Sequence, residues 1–308
     1  MNLQQLRYVV ALAEANSFTK AADAMFVVQS ALSQQVRRFE HELGVRLFDR
    51  TTRSVSLTPA GEALMPLLRQ VVAGIDQITA DAQALSGKVG GRLTVGMMEV
   101  PSESLDVATL MATFHERYPD VSVTLRSGGS DVLVEAVRER KLDAAIVGSN
   151  VSGSAARLTF TRLFGESLIA VMPAEHALTH YSSVSLADLA CLPFIDFPAG
   201  YGLRHETDRG FTGVARRVAF EVTRVDEVIH FVRKNLGIAL LPESVARTRA
   251  DNDPTLALRP VAGADMRRQV HLVTSHPHAR SAACQAFVAC VAEHVRHAER
   301  LGKTARDS

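Results

Sequence analysis

What this chain lacks narrows its chemistry before any motif is read. Its three cysteines, Cys191, Cys284 and Cys290, are odd in number and follow no metal-ligand spacing. Cys284 and Cys290 lie six apart, offset by most of a turn on a helix, and read as small buried hydrophobes. There is no long apolar run and no signal peptide, so the chain reads as soluble and cytoplasmic, with no membrane partner. There is no surplus of charge either. Lys and Arg total 34 against 33 Asp and Glu, a formal net charge of +1, so any nucleic-acid affinity has to come from local patches. No Gly-x-Ser-x-Gly elbow and no Gly-Lys-Ser/Thr phosphate loop is present. His-Glu pairs at His41-Glu42, His115-Glu116 and His205-Glu206 lack the second histidine of a zinc-protease helix. His271, His276, His278, His294 and His297 read as scattered surface residues. No catalytic constellation stands out, and neither an enzyme activity nor a metal or cofactor is expected.

What is present is a large globular composition, 47% apolar and 22% charged over 308 residues, enough for more than one domain. The informative stretch runs from Ser17 to Leu57. Ser17 is placed to cap a short helix whose Ala21, Ala22 and Met25 share an inner face. A tight apolar turn, Phe26-Val27-Val28, leads into a second helix. There Leu32, Val36, Phe39 and Leu43 form one stripe, and Ser30, Ser33, Gln34 and Arg37 form another. The first stripe wants a core. The second offers hydroxyls, an amide and a guanidinium, all able to bond base edges or phosphates in a major groove. This is the layout of a helix-turn-helix. The run Leu47–Leu57 then reads as two short strands around a basic turn, a wing that sets Arg50 and Arg53 against the DNA backbone or minor groove. From Gln29 to Leu57 five arginines face Glu40, Glu42 and Asp49, a surplus of only two. Order and spacing, not composition, carry the DNA-binding reading.

The run from Phe18 to Gly61 resembles the DNA-binding end of LysR-type transcriptional regulators. The resemblance includes Ser33, Leu43-Gly44-Val45-Arg46-Leu47-Phe48-Asp49-Arg50 and Leu57-Thr58-Pro59-Ala60-Gly61. It implies a DNA-facing set of Thr19, Gln29, Ser30, Ser33, Gln34, Arg37, Arg50 and Arg53. One departure stands just before the recognition helix: Val28 occupies a position where the family commonly has a serine, and valine supplies no cap oxygen.

Ahead of the motif, Met1–Asn16 reads as a scaffold helix. Behind it, Thr58 caps and Pro59 takes the first helical position, where its missing N–H costs nothing. Leu64, Leu68, Val71, Ile75, Ile78, Ala82 and Leu85 then recur at alternating steps of four and three, a heptad seam that predicts a dimerising coiled coil. Pro66 is expected to bend this helix. Ser86–Gly91 reads as a hinge.

From Arg92 onward strands and helices alternate, which predicts an α/β domain with a parallel sheet. Strand-like runs are Arg92–Met97, Val121–Arg126, Ala144–Val147, Leu168–Met172, Pro193–Asp196, Arg217–Glu221, Gly237–Leu241 and Gln269–Thr274. Helices are expected near Ser104–Arg117, Asp131–Lys141, Tyr201–Gly210, Asp226–Lys234 and Arg280–His297. Two crossing segments, Arg162–Ser167 and Met266–Gln269, are expected to form a hinge. This half also resembles the family, along its effector-binding domain, in Phe114–Pro119, Leu142–Ile146, Leu186–Ala190 and Leu236–Pro242. The implied architecture is an all-α, winged-helix N-terminal domain (1–58), a linker and dimerisation helix (59–88), and a two-subdomain α/β effector domain of periplasmic-binding-protein type (89–308). Subdomain I takes 89–163 and 268–300, and subdomain II takes 164–267.

In open α/β sheets a ligand sits beyond the carboxyl ends of strands, near helix N-termini that suit anions. Three junctions qualify: Met98–Ser102, with Val100 where the family often has a hydroxyl and Ser102 close by; Gly128–Asp131, with Ser130; and Phe197–Arg204, with Phe197, Tyr201 and Arg204. Thr223 and Arg224 face the last of these. Serine and threonine hydroxyls with an arginine fork suit a small organic anion, which Glu99 would oppose unless it is paired. The expectation is a sequence-specific transcriptional regulator bound to double-stranded promoter DNA and modulated by a small-molecule effector. It is expected to be a homodimer that assembles to a homotetramer. The alternative is a solute-binding module or enzyme carrying an appended DNA-binding domain.

Overall fold

The first helix is fixed by its cap. Asn2 accepts from the Gln5 N–H at 2.9 Å while the Gln5 side chain accepts from the Asn2 N–H at 2.9 Å, a capping box that starts α1 (Leu3–Ala15). Ser17 caps α2 (Phe18–Ala24) by accepting from the Lys20 N–H. The recognition helix α3 (Gln29–Leu43) starts at Val28 with no side-chain cap and stops at Gly44, whose φ is +72°. The apolar stripe of α3 points inward: Leu32, Val36 and Phe39 are fully buried with Val9, Leu12 and Ala21. The strands β1 (Phe48–Arg50) and β2 (Val55–Leu57) pair antiparallel, Phe48 opposite Leu57. Glu40, buried on α3, ties the wing to the helix by accepting from the Leu47 and Phe48 N–H groups at 2.9 and 3.1 Å. Thr58 accepts from the Gly61 N–H at 3.0 Å at the head of α4 (Pro59–Leu85). A Cβ at Gly61 would lie 2.2 Å from the Leu47 carbonyl oxygen, so only glycine lets α4 approach the wing.

The computed structural model describes residues 1–50, 55–85, 89–98, 105–148, 158–251, 253–263, 265–276 and 280–304. Two compact units form: Met1–Ala82 with Glu139–Lys141, and Gln83–Arg138 with Leu142–Ser308. Within the chain, the expected seam on α4 divides into a half that packs on its own domain and a half that does not. Leu64 and Leu68 pack on the winged domain's own core beside fully buried Met65. Val71 and Ile78 are 47% and 70% exposed, and Ile75 is half-buried. The Leu85 side chain lies outside the described residues. The physical reason is size: three short helices and a two-stranded wing leave an open side, and the first turns of α4 cover it.

In the second unit, β3 (Gly91–Met98), α5 (Val107–Arg117), β4 (Val121–Gly128), α6 (Ser130–Arg138) and β5 (Ala144–Gly148) build subdomain I, with β3 parallel to both β4 and β5. Next comes β6 (Leu158–Pro173), a sixteen-residue strand. It fuses the expected crossing segment and the expected strand Leu168–Met172 into one element. A 3₁₀ turn at Ala177–His180 leads to β7 (Val184–Ser185), α7 (Leu186–Ala190), β8 (Pro193–Asp196), α8 (Gly202–Gly210), β9 (Arg217–Glu221), α9 (Val225–Arg233), β10 (Ala239–Pro242), α10 (Glu243–Ala250) and β11 (Leu256–Ala262), which form subdomain II. The chain returns through β12 (Arg267–Ser275) to α11 (Ala282–Thr304).

The strand order is β4-β3-β5-β12-β6-β11-β7, with β10 also on β6 and a separate parallel pair β8-β9. The sheet is mixed, not parallel throughout: β12 runs antiparallel to both β5 and β6 because it comes back from the other subdomain. Subdomain I buries Leu93, Val95, Phe114 and Phe287 on one side of its sheet and Leu133, Val137 and Val147 on the other. Subdomain II has its own core around Val171, Phe194, Val228 and Leu241.

Candidate functional site

The polar stripe of α3 lies on the face opposite the core. Gln29, Ser30, Gln34 and Arg37 are exposed, Ser33 is half-buried, and Thr19 is exposed on α2. Arg50 is the last residue of β1, but its side chain and all of Arg53 fall outside the described residues. The turn into α3 holds a feature that hydropathy reading missed. Phe26 has a left-handed backbone, φ +53°, and is 96% exposed; Val28 is 72% exposed. A left-handed aromatic costs about 1 kcal/mol of strain. The "apolar turn" of the sequence therefore buries only Val27 against the core.

The second candidate site lies between the two subdomains. Ser130, 2% exposed, opens α6, and Gly202 opens α8; the two helix N-termini meet across the cleft. The Asp131 N–H donates to the Gly200 carbonyl at 3.1 Å, and His205 Nε2 lies 2.9 Å from Asp131 Oδ2. A Cβ at Gly202 would come within 1.3 Å of the Gly148 carbonyl oxygen, so this glycine permits the close approach. What remains open is a cavity of about 10 Å³ bordered by Ser130, Gly148, Tyr201, Gly202 and Arg268. That is room for one water, not for a metabolite.

Arg268 was not singled out from the sequence. It is 1% exposed and stands directly opposite Glu166 in the β12–β6 register, with Nη2 and Nε 2.5 and 3.2 Å from Glu166 Oε2. The Ser244 hydroxyl donates to Glu166 Oε1 at 3.0 Å. Burial, against the pull of Glu166, lowers the guanidinium pKa from its ordinary value. A signal was there to be read: alternation along β12 puts Arg268 in phase with Val270 and Leu272, both buried.

The remaining expected cleft residues are distributed differently. Phe197 is buried in the subdomain II core, its ring stacked on Tyr201 with centroids 6.0 Å apart. Arg204 is committed within its own subdomain. Its Nε bonds Asp208 at 2.9 Å, and its Nη1 bonds Glu221 at 2.7 Å and the Phe197 carbonyl at 3.0 Å. The carboxylate beside it, Asp196, is 5% exposed and meets Arg216 at 2.6 Å; burial raises its pKa despite Arg216 and Arg204. Thr223 and Arg224 are exposed at the head of α9 and do not border the cavity. Glu99, Val100 and Ser102 lie outside the described residues. Cys284 donates to the Asp143 carbonyl at 3.5 Å, and burial pushes its thiol up to about 12.

A helix-turn-helix with a wing, joined through a long helix to an α/β domain with two cores and a small cavity between them, is the build of a DNA-binding transcriptional regulator. Residues 3–62 match the model for bacterial regulatory helix-turn-helix proteins of the lysR family, and residues 86–296 match the LysR substrate binding domain. The chain belongs to the LysR family. It is 32% identical over 277 residues to the transcriptional dual regulator GltC of Bacillus subtilis, covering 89% of this chain and 90% of that one. It is 30% identical to a probable nitrogen assimilation transcriptional activator of Synechococcus elongatus, covering 89% and 88%. Among solved structures, a full-length OxyR variant from Pseudomonas aeruginosa superposes with a TM-score of 0.76 at 26% identity, covering 96% of this chain and 98% of that one. The α/β half is therefore the effector domain of a regulator, and the alternative of an enzyme with an appended DNA-binding domain is set aside. No helix among the described residues is long and apolar enough to cross a membrane.

Proposed function

We propose that this regulator reads promoter DNA through Thr19, Gln29, Ser30, Ser33, Gln34 and Arg37, with Arg50 and Arg53 on the backbone or minor groove. We further propose that it responds to a small organic anion held between its subdomains. The effector class rests on one observation: two helix N-termini, the buried Ser130 hydroxyl and the buried Arg268 guanidinium converge on a single cavity. Partial positive charge, a hydroxyl and a bidentate fork together suit a carboxylate. The cavity is too small for any metabolite as it stands, so the ligand enters when the subdomains part. Inside, a ligand carboxylate takes up the Arg268 fork in exchange with Glu166, the internal anion that holds it in the closed form. Because Arg268 and Glu166 sit on the two strands that join the subdomains, this exchange biases the hinge. The hinge in turn sets the spacing of paired winged domains and hence the bend of the DNA between half-sites.

Tyr201 supplies apolar wall, with Phe197 stacked behind it, and Val100 and Ser102 are carried as effector-binding residues on the family resemblance alone. Thr223, Arg224 and Arg204 belong to the outer lip of subdomain II and act on the effector only after rearrangement. Pairing of chains runs along the second half of the α4 seam, through Val71, Ile75, Ile78 and Leu85, and two such dimers form a tetramer. A protein that works on the chromosome resides in the cytoplasm.

The test is a thermal-shift screen of carboxylates, amines and neutral sugars against the parent and Ser130→Ala. A carboxylate at 100 times its dissociation constant stabilises by about 2.7 kcal/mol. The expected result is a shift with carboxylates that Ser130→Ala reduces while operator affinity stays intact. A shift with amines alone, or equal shifts in both proteins, defeats the anion reading.

A further inference from the structure

Phe26 is the least explained side chain on this surface. It stands three residues before the start of α3, the end of the recognition helix that enters the groove first. Its place is rigid. The Met25 N–H donates to the Ala21 carbonyl at 3.0 Å, the Phe26 N–H to Asp23 at 3.1 Å and the Val27 N–H to Ala22 at 3.0 Å. Val27 is anchored on the core, so its neighbour is thrown outward and stays 96% exposed. The fold gains nothing from the ring: no apolar surface is buried, and the left-handed backbone at φ +53° favours Asn or His over an aromatic. A role outside the folded chain is the remaining account.

The surroundings select the partner. Beside Phe26 and the exposed Val28 lie the exposed polar and cationic side chains Gln29, Ser30, Gln34 and Arg37. Those groups would be stranded in an apolar protein groove, but they match phosphates and base edges. The thymine methyl is the apolar group that base edges present in the major groove, and phenylalanine is one of the side chains suited to meet it. We propose that Phe26 is a DNA-specificity residue, packing its ring on a thymine methyl next to the bases met by the first turn of α3. This rests on the α3 face being the one that meets DNA.

The test starts by selecting duplexes from a random-sequence library with the full-length protein, then replacing each thymine of the selected duplex singly by uracil. Losing one buried methyl is worth about fourfold in affinity. The expected result is that the parent loses about that factor at one thymine per half-site. Phe26→Asn, which suits the left-handed backbone and should melt no lower than the parent, binds the thymine duplex more weakly and is indifferent to uracil there. Phe26→His, with a polar ring, loses the same discrimination and stands in should the asparagine protein be unstable. Unchanged binding by the variants, or a full uracil penalty retained in them, overturns the assignment. Enrichment of no sequence by the parent overturns the DNA-reading face itself, and Phe26 with it.

Discussion

The Arg268–Glu166 pair is the sharpest point at which to perturb this protein. Both groups are almost wholly buried, and the Arg268 fork meets one carboxylate oxygen at 2.5 and 3.2 Å. The net worth of such a pair is small, because desolvation offsets most of the attraction. Removing one partner instead strands a buried charge and costs about 3–5 kcal/mol. The two single changes should not be equal. In Glu166→Leu the guanidinium cannot shed its proton, so the cost sits at the upper end of that range. In Arg268→Met the carboxylate keeps the Ser244 hydroxyl as a donor, so the loss is smaller. For a unit of this size about 1 kcal/mol moves Tm by about 2–4 °C, which predicts a fall of roughly 6–20 °C for each single variant. The double variant Arg268→Met with Glu166→Leu should recover most of the loss, and should no longer respond to an anionic effector. Since the chain has no tryptophan, circular dichroism in urea is the suitable readout. Single variants costing under about 1 kcal/mol, or a double variant as unstable as the sum of the singles, would refute the reasoning.

Three further outcomes are expected. Gly202→Ala should hold the cleft open, since its Cβ meets the Gly148 carbonyl at 1.3 Å; small-angle scattering should show a wider effector domain, and an unchanged profile would contradict the close packing. Ile78→Asp, at an exposed seam position, should lower the sedimentation mass with little effect on Tm, whereas Leu68→Asp should chiefly unfold the winged domain. If both change mass alike, the division of the α4 seam is wrong. At pH 8 exposed Cys191 should react with a thiol reagent first, with Cys284 silent until unfolding. Because burial raises the Cys284 pKa from 9.0 to about 12, its contribution to stability is whole below pH 9 and is lost as pH rises toward 12, so alkaline melting should begin in that window.

Along the chain, sequence alone determined whatever depends on neighbours three or four residues away. The inward stripe Leu32–Val36–Phe39, the polar stripe on the other face of α3, the caps at Ser17 and Thr58, and the positions of most strands are all local signals, set by the periods of helix and strand. The run around Ser130 was likewise legible as a strand-to-helix junction. Tertiary structure decided what depends on partners far away in sequence. Arg268 and Glu166 are 102 residues apart and became a pair only when β12 and β6 crossed in register. Arg204 looked like a free ligand-binding fork until folding set Glu221, from another element, beside it. The heptad seam on α4 reads as uniform in sequence, yet the open side of the winged domain claims its first half. Phe26 reads as one more apolar turn residue, and only its left-handed backbone and its distance from any core turn it outward. Periodicity says which face of an element is apolar; which neighbour meets that face is a property of the packed molecule.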